Sequence, residues 1–412
     1  MVPKGWEQKK LEELCSLDAP ITYGVLKPGE YFCGGIPLLQ IKDLCDGSVL
    51  SNGLHLISPE LDYEYRRSRI IKNDILISLV GTIGRVAKYQ SSSEANIHRN
   101  IGRIRSNQHE YLFHYLRSDD VQRGITDSAS GSSQSALNLS TLRSMLILVP
   151  PVIEQKKIAK ILSTWDKAIS VTEKLLTNSQ QQKKALMQQL LTGKKRLLDE
   201  DGVRFSGEWV HGQLGDLCAF KGGFAFKEVY QGQSMGELPF IKVSDMNLLG
   251  NERNIEYSNN WVSFETAKLM KAKPFPESSI VFAKVGAALL LNRRRILLRP
   301  TIIDNNMMAA VPSNAADTEF LYQLLMAIDF ARFVQEGAVP SINQGDLSSF
   351  KLSYPYVEEQ QKIAAVLSAA DAEISTLEKK LACLKDEKKA LMQQLLSGKR
   401  RVKIDAEEAV NA

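Results

Sequence analysis

The sequence lacks long hydrophobic runs and any recognisable export signal. No run of about 18 or more apolar residues occurs, which argues against a membrane-spanning helix. The segment from Met1 to Lys10 has no apolar core of the kind found in signal peptides. We therefore expect a cytoplasmic protein.

The cysteines and histidines form no metal-binding or disulfide pattern. The five cysteines are odd in number and widely spaced without a C-x-x-C pair, and the five histidines are scattered. Zinc ribbons and disulfide frameworks depend on such pairs. We predict free thiols and no metal site on this chain.

The motifs of common nucleotide-dependent enzymes are also missing. Gly193-Lys194 and Gly398-Lys399 have glutamine where the first glycine of a phosphate-binding loop belongs. The Asn/Asp-Pro-Pro-Tyr/Phe tetrapeptide of amino-methyltransferases is absent, and so is His-Glu-x-x-His. We predict no catalytic residue and no cofactor on this chain.

The composition is that of a folded protein with room for two domains. The chain has 412 residues, of which 44% are hydrophobic and 24% are charged. Its formal charge of +5 is compatible with an anionic partner, although many proteins without such a partner carry as much.

The most informative feature is an internal repeat. Residues 183–194, KKALMQQLLTGK, return 205 positions later at 388–399 as KKALMQQLLSGK. The phrase EQKKIA, which begins at Glu154, returns as EQQKIA at Glu359. The segments before these phrases match only in a few positions. The sequence therefore predicts a pseudo-two-fold repeat in the order domain, helix, domain, helix.

The repeated phrases belong to two long helices. Pro150-Pro151 and Pro355 suit helix starts, and Gly193 and Gly398 suit helix ends. Apolar residues between them follow steps of three and four, which is a heptad seam that predicts an antiparallel coiled coil about 60 Å long. The predicted pairing residues are Leu162, Trp165, Ile169, Leu176, Leu186, Leu190, Leu367, Ile374, Leu377, Leu381, Leu384, Leu391 and Leu395.

The two domains that precede the helices are expected to be mixed α/β domains with short strands, so that the whole chain is α+β. Alternating or continuous apolar runs predict strands at residues 37–42, 74–80, 239–244 and 280–284. Loops that contain Gly81, Gly84, Gly222, Gly223 and Gly286 separate the elements of these domains.

Positive charge is concentrated at corresponding places in both domains. Arginine can read guanine and contact phosphate, and nearby asparagines such as Asn96, Asn100, Asn305 and Asn306 could read adenine. The alternative is that these charges are ordinary solvated surface. The candidate DNA-binding residues are Arg66, Arg67, Arg69, Arg85, Lys88, Arg99, Arg103, Arg105, Lys271, Lys273, Lys284, Arg293, Arg294 and Arg295.

These features together resemble the specificity subunits of type I restriction-modification systems. The resemblance covers essentially the whole chain. Its motifs are the run from Gly131-Ser132-Ser133-Gln134 to Pro150-Pro151, the run from Pro340 to Asn343, and the EQKKIA and LMQQLL phrases of both helices. The resemblance implies target-recognition domains at 1–150 and 199–355, each followed by a helical spacer, at 151–198 and 356–403.

The resemblance also implies a function and partners. Each recognition domain would read one half of a split double-stranded DNA target, and the helices would set the spacer. The helices would dock two methyltransferase subunits, and restriction subunits would join them. S-adenosylmethionine, ATP and Mg²⁺ would belong to those partners. Because the two domains differ in sequence, we expect an asymmetric target.

One departure from a regular seam affects the first helix. It has Thr172 and Ser179 where the second helix has Leu377 and Leu384, so pairing there is expected to be looser or to involve a partner. Three other functions are weighed from the residues alone. The chain could be a coiled-coil interaction scaffold, a DNA-binding protein that acts without enzyme partners, or a DNA enzyme with an unrecognised site. The last would methylate or cleave DNA by itself, which we do not expect.

Overall fold

The computed structural model describes most of the chain, namely residues 2–45, 47–129, 136–335 and 339–403. The segment from Gly131 to Gln134, which begins one of the motifs quoted above, lies outside the described residues. The chain divides into two compact units. Unit 1 is Met1–Glu173 with Lys379–Ala412, and unit 2 is Lys174–Glu378. Both boundaries fall within the two long helices.

The described residues of unit 1 form three sheets and several short helices before the first long helix. An antiparallel sheet has the order β2-β8-β5-β6, a mixed sheet has the order β4-β3-β7, and β1 pairs with β9. Its strands are β1 (Glu7–Lys10), β2 (Thr22–Tyr23), β3 (Ile36–Leu39), β4 (His55–Ile57), β5 (Ile75–Ser78), β6 (Val86–Lys88), β7 (Asn96–Ile97), β8 (Ile101–Ile104) and β9 (Leu146–Val149). Its helices are α1 (Pro59–Glu64), α2 (His109–Leu116), α3 (Asp119–Ala129), α4 (Leu139–Ser144) and the start of α5 (Val152–Leu190).

Unit 2 contains corresponding sheets. Its antiparallel pair is β10-β19, its larger sheet has the order β11-β18-β15-β16-β13, and its third sheet has the order β14-β12-β17. Its strands are β10 (Val210–Gln213), β11 (Cys218–Gly222), β12 (Leu238–Ile241), β13 (Asn254–Ile255), β14 (Trp261–Val262), β15 (Ile280–Ala283), β16 (Arg295–Leu297), β17 (Ile302–Ile303), β18 (Met307–Pro312) and β19 (Lys351–Tyr354). Its helices are α6 (Leu214–Leu217), α7 (Phe264–Leu269), α8 (Ala287–Leu290), α9 (Thr318–Ala327), α10 (Gln344–Ser348) and the start of α11 (Val357–Leu395). The predicted combination of helices and sheets is confirmed.

The predicted strands exist but are shorter than expected. β3 ends at Leu39, and a short 3-10 helix, Ile41–Asp43, follows it. The Asp43 carboxylate accepts the backbone N–H of Gln40 at 2.8 Å, which caps that turn and ends the strand. In unit 2, β12 ends in the same manner, because the Asp245 carboxylate accepts the N–H of Lys242 at 2.7 Å.

The buried strands β5 and β15 organise the cores of their units. Side chains alternate between the two faces of a strand. Ile75 and Ile77 therefore lie in one hydrophobic cluster, and Leu76 lies in another. The first of these clusters also includes Leu162 of α5 and Leu395 of α11, so the long helices are part of the unit 1 core.

Both long helices have 39 residues and end shortly before a glycine. Gly193 has a φ of +71° and Gly398 a φ of +70°, a left-handed conformation that glycine adopts without steric cost. Pro151 and Pro355 precede the helices, as predicted. Within the described residues, no helix is both long and apolar enough to cross a membrane.

In unit 1, the first part of α5 contacts the last part of α11. The Asp166 carboxylate lies 2.5 Å from the ammonium of Lys388, and the Glu173 carboxylate lies 2.8 Å from that of Lys385. Later residues of α5 therefore meet earlier residues of α11. The two segments run in opposite directions in this unit.

The same relation holds separately in unit 2. The Ser179 hydroxyl donates to the Glu373 carboxylate at 3.0 Å, and the Lys183 ammonium lies 2.5 Å from the Asp371 carboxylate. Here too, the later residue of α5 contacts the earlier residue of α11.

Candidate nucleic-acid interface

The exposed candidates of unit 1 include two arginines that follow α1. Ser58 caps this helix by accepting the N–H of Leu61, and Arg66 and Arg67 lie in the 3-10 turn directly after it. Both side chains are exposed. A pocket of about 340 Å³ opens beside them. Its lining residues are Tyr23, Leu26, Glu64, Tyr65, Arg66 and Arg67.

Unit 2 places exposed cations at the corresponding point. Ser263 caps α7 by accepting the N–H of Thr266, and Lys271 and Lys273 follow that helix with exposed side chains. Each unit thus has a serine-capped helix with a pair of exposed cations after it. The same arrangement therefore recurs in two domains of different sequence.

Two other candidates are exposed but lie elsewhere. Arg99 follows β7 in unit 1, and Arg293 follows α8 in unit 2. The Arg293 guanidinium donates to the side-chain oxygen of Asn247, which holds it on the surface of its unit.

Several arginines are half-buried and engaged by carboxylates. Arg69 donates to Asp62 at 2.7 Å, and this hydrogen bond raises the pKa of the arginine. Arg105 makes two hydrogen bonds to Asp74, at 2.8 and 2.7 Å, which raise its pKa in the same way. These pairs leave part of each guanidinium near the surface.

Arg85 and Lys284 are also half-buried, but their neighbours are not carboxylates. Arg85 donates to the backbone carbonyl of Leu44 at 2.9 Å. The Lys284 ammonium lies beside the backbone of Gly222, where a Cβ would come within 3.2 Å of it. A side chain at position 222 would therefore require the flexible end of Lys284 to move by a few tenths of an ångström.

Other candidates are buried, and their contacts argue for structural roles. Arg103 is 3% exposed and donates to the carbonyls of Pro20, Arg67 and Arg69. Lys88 is 8% exposed and forms an ion pair with Glu110 at 2.8 Å. These side chains cannot reach DNA without leaving their partners.

The two central arginines of the unit 2 cluster are buried as well. Arg294 is fully buried, donates to the carbonyl of Ile328 at 2.7 Å, and stacks on Phe330. Burial lowers its pKa to about 10. Arg295 donates to the carbonyls of Arg294 and Met246, and burial lowers its pKa also. Sequence alone could not separate these from Arg293, since all three are consecutive.

Asn96, a candidate adenine reader, is also internal. It is fully buried, donates to Asp62 at 3.0 Å, and accepts from the hydroxyl of Ser68 at 2.7 Å. It therefore links β7 to the turn that carries Arg66 and Arg67. This role positions the exposed arginines instead of reading a base.

The predicted seam residues of the long helices are all buried or half-buried, whereas most neighbouring helix positions are exposed. The polar seam residues are also accommodated. Thr172 donates to the carbonyl of Ala168 at 2.8 Å, and Ser179 donates to Glu373. The half-buried positions are Trp165, Ile169, Leu176, Leu186, Ile374, Leu377, Leu381, Leu384 and Leu391.

A repeated ionic cluster at the helix starts was not predicted. In unit 1, Glu154 is 1% exposed and accepts two hydrogen bonds from Arg401, both at 2.7 Å, and one from the Trp6 indole at 3.1 Å. In unit 2, Glu359 accepts from Arg196 and Trp209 in the same way. The internal repeat could have pointed to these glutamates, because each one begins a repeated phrase, EQKKIA or EQQKIA.

No group of three or more His, Cys, Asp or Glu side chains that could hold a metal occurs among the residues that the structure describes. The five cysteines are free thiols, and Cys15 and Cys218 occupy matching places after short helices. Burial raises the pKa of Cys15 to about 11 and that of Cys218 to about 12, so these two thiols are poor nucleophiles.

Comparison with known proteins gives matches along both halves of the chain. The family model described as "Type I restriction modification DNA specificity domain" matches residues 3–178 and again residues 206–385. The type I restriction enzyme EcoBI specificity subunit of Escherichia coli is 31% identical over 196 residues. That match covers 46% of this chain and 41% of that protein, so it spans less than half of the relative.

A putative type I restriction enzyme MjaX specificity subunit of Methanocaldococcus jannaschii is 27% identical over 98% of this chain and 95% of that protein. Among solved structures, the type I restriction-modification S subunit from M. genitalium has a TM-score of 0.59 at 15% identity, covering 98% of this chain and 97% of that one. A second solved chain comes from a study of complex assembly and conformational transition of the type I R-M system. It has a TM-score of 0.56 at 18% identity, and the match covers 96% of this chain and 98% of that one. These two structures show a shared fold.

Proposed function

This chain belongs to the family of type I restriction-modification DNA specificity proteins, and we propose that it is the subunit that reads DNA sequence in such a complex. The observation that carries the proposal is the double match to the DNA specificity domain model, once in each half. Each copy would read one half of a bipartite target. The chain itself would contribute recognition and no catalysis.

We propose that the recognition domains are residues 1–150 and 199–355 and the spacers are residues 151–198 and 356–403. The spacers would form an antiparallel coiled coil that relates the two halves by an approximate two-fold axis and sets the distance between half-sites. The opposite directions of α5 and α11 within each unit, and the full or partial burial of every predicted seam residue, support this proposal.

We propose that two methyltransferase subunits dock on these helices and that restriction subunits join the assembly. S-adenosylmethionine, ATP and Mg²⁺ would be bound by those partners and not by this chain. The exposure of most α5 and α11 side chains outside the seam supports the docking proposal, because such side chains are available to a partner.

The DNA-facing surface would include the exposed cations after α1 and α7. Guanidinium and ammonium groups neutralise phosphates, and arginine can also contact guanine. The two surfaces differ in residue type, with Arg66 and Arg67 in one unit and Lys271 and Lys273 in the other. We therefore propose unequal half-sites and an asymmetric target.

The proposal can be tested by selection of DNA sequences. The chain is co-expressed with a type I methyltransferase subunit from its own source, and the purified complex is mixed with random duplexes. The expected result is enrichment of a split sequence with a constant gap. Enrichment of no sequence above background would contradict the proposal and favour an interaction scaffold. A split target bound equally well without methyltransferase would favour a DNA-binding protein that acts alone.

If each unit reads its own half-site, removal of the cations of one unit should weaken binding to that half-site alone. The double variant Arg66→Ala with Arg67→Ala should bind DNA with a weaker salt dependence. The slope of the logarithm of the binding constant against the logarithm of the salt concentration should fall in magnitude by about 0.9 for each phosphate that these arginines neutralise. The second half-site should keep its selectivity, as read from binding to duplexes mutated in one half. Lys271→Ala with Lys273→Ala should give the reverse pattern.

Lys10→Ala is a matched control, since Lys10 is exposed in β1 and lies 3.9 Å from Glu12, outside the candidate surface. It should leave both half-sites and the salt dependence unchanged. The same decrease for each charge removed, in all three variants, would indicate a general charge effect and would contradict the assignment of these residues.

A further inference from the structure

Each unit contains an aspartate of one long helix that is held by a lysine of the other. In unit 1, the Asp166 Oδ1 atom lies 2.5 Å from Lys388 Nζ. In unit 2, the Asp371 Oδ1 atom lies 2.5 Å from Lys183 Nζ. The side chains of Lys388 and Lys183 are 10% and 15% exposed, whereas those of Asp166 and Asp371 are 31% and 29% exposed, so each ion pair is shielded from water mainly on its lysine side.

A short helix of the same unit approaches each aspartate from a third direction. The Gln323 side chain, on α9, is fully buried and donates to Asp371 Oδ2 at 2.6 Å. At the equivalent place on α2, His114 is fully buried with its Nδ1 atom 3.7 Å from Asp166 Oδ2. Arg117 lies 3.4 Å from that same oxygen. Three elements therefore meet at each aspartate.

The two arrangements occupy equivalent positions of the internal repeat. Asp371 follows Asp166 by 205 residues, and Lys388 follows Lys183 by the same distance. The short helices that supply the third contact have different sequences, yet both direct a buried polar side chain to the carboxylate. The aspartate is thus retained in both halves while its surroundings vary.

Lys183 and Lys388 continue the steps of three and four residues that define the seam. A polar residue on a heptad seam selects one register, because any other register leaves a charge without its partner. A shift of one heptad would move one helix by about 10 Å along the other. Such a shift would separate Lys183 from Asp371 and leave the largely buried lysine charge without its carboxylate. It would also pull Asp371 away from Gln323 on the recognition domain.

We propose that Asp166 and Asp371 are positioning residues that lock the two long helices in one register and tie each recognition domain to them. The lock acts through the lysine of the opposite helix and the polar side chain of the short helix. Its consequence for DNA is a single permitted spacer length, and this consequence rests on the proposed function. The lock itself does not.

The two locks should respond differently to exchange of their charges. Lys183→Asp with Asp371→Lys keeps an ion pair, and the Gln323 amide can present its carbonyl oxygen, which has no hydrogen-bond partner, to the new lysine. The same exchange at Asp166 and Lys388 would place a lysine beside Arg117. We expect the first exchange to preserve register and the second to disturb it.

Register can be measured without DNA by electron-spin distance measurements in unit 2. Spin labels are attached at Asn178→Cys and Ala365→Cys, two exposed positions on the opposed helix segments, in a background whose accessible native cysteines are serine. The purified full chain should give one narrow distance. Asp371→Asn, which keeps the side-chain shape, should broaden it or add a population displaced by about 10 Å.

Lys183→Asp with Asp371→Lys should restore the narrow distance, whereas Asp371→Lys alone should not. An Asp371→Asn distribution that coincides with that of the parent protein would overturn the lock. If Asp371→Lys does not assemble, the isosteric Asp371→Asn variant still decides the question.

The consequence for spacing is measured on duplexes whose gap is one base pair longer or shorter. The parent complex should prefer the native gap by about tenfold, as for a poorly matched site, and Asp371→Asn should reduce that preference to about threefold or less. Unchanged preference with a broadened distance would overturn the link to spacing. If the parent complex selects no split target, the proposed function is contradicted. The lock is then tested by the spin-label distances alone.

Discussion

At the scale of single residues, stability depends on buried charges that the repeat places twice. Glu154 and Glu359 each connect a long helix to an arginine beyond the other long helix and to the tryptophan that directly precedes β1 or β10. Hydrogen bonds to charged groups are stronger than neutral ones, and a buried partner left alone is costly. These glutamates therefore hold the first strand of each unit against its helix.

Removal of one such glutamate should destabilise its own unit. Glu154→Ala leaves the Trp6 indole N–H without an acceptor, and we expect unit 1 to lose about 2 kcal/mol of unfolding free energy. Urea unfolding would measure the loss of unfolding free energy, and hydrogen exchange would show whether the loss is confined to unit 1. Glu13→Ala, which removes an exposed carboxylate of the same unit, should cost less than about 0.5 kcal/mol. Equal effects of the two variants would show that the cluster is not stabilising.

His114 should make the stability of unit 1 depend on pH. Burial, together with the cations of Lys388, Arg117 and Lys88, outweighs the attraction of Asp166 and lowers the pKa of His114 to about 3, from an ordinary value near 6.5. The unfolded chain therefore binds a proton below pH 6.5 that the folded chain does not. Stability should be full above that pH and fall as the pH drops toward 3, by at most about 1.4 kcal/mol per pH unit.

The control is His114→Gln, which introduces the residue type found at Gln323 in unit 2. Unfolding free energies of both proteins are compared between pH 7 and pH 4. The unfolding free energy of the variant should fall less steeply with decreasing pH, because the contribution of the histidine is missing. The carboxylates contribute equally in the variant and in the parent protein. Identical slopes would mean that His114 accepts a proton in the folded state.

At the scale of elements, the long helices combine an apolar seam with a few polar positions. Thr172 in unit 1 and Ser179 in unit 2 occupy seam positions of α5, and both are buried and hydrogen-bonded. The polar residues are thus part of the packed seam. Most of the remaining surface of both helices is exposed.

Polar substitution in the seam should separate the helices without unfolding the recognition domains. Leu377→Ser, Leu381→Ser and Leu384→Ser together remove half-buried apolar surface that the domain cores do not contain. We expect the long helices to melt at a lower temperature and the methyltransferase no longer to co-purify. Hydrogen exchange in β5 and β15 should stay slow, because the recognition domains remain folded. The control, Lys379→Ser with Lys380→Ser, changes exposed positions of the same helix and should behave like the parent protein. Fast exchange in the strands would contradict separate folding.

At the scale of the whole molecule, the proposed spacer can be shortened. Deletion of residues 168–174 and 373–379 removes one heptad at equivalent places of the two helices and preserves the seam. Seven residues correspond to about 10 Å of helix, which is about three base pairs. DNA selection should return the same half-sites with a shorter gap. New half-sites would contradict modular reading, and an unchanged gap would contradict the role of the helices as spacer.

The sequence alone determined the order of elements, the ends of the long helices and their seam. These features are local or periodic, so Pro151, Gly193 and the steps of three and four residues could be read directly. The near-identical phrases of the two halves also identified the family. Strand positions were predicted to within a few residues, and the capping carboxylates Asp43 and Asp245 account for the early ends of β3 and β12.

Only the tertiary structure decided which charged residues face solvent. Arg293 and Arg294 are neighbours in sequence, but one is exposed and the other is fully buried against Phe330. The partners that bury such a residue come from distant parts of the chain, and periodicity carries no information about them. The same reason hid the contacts of Glu154 and Asp166, since the arginine and lysine that hold them lie more than 200 residues away.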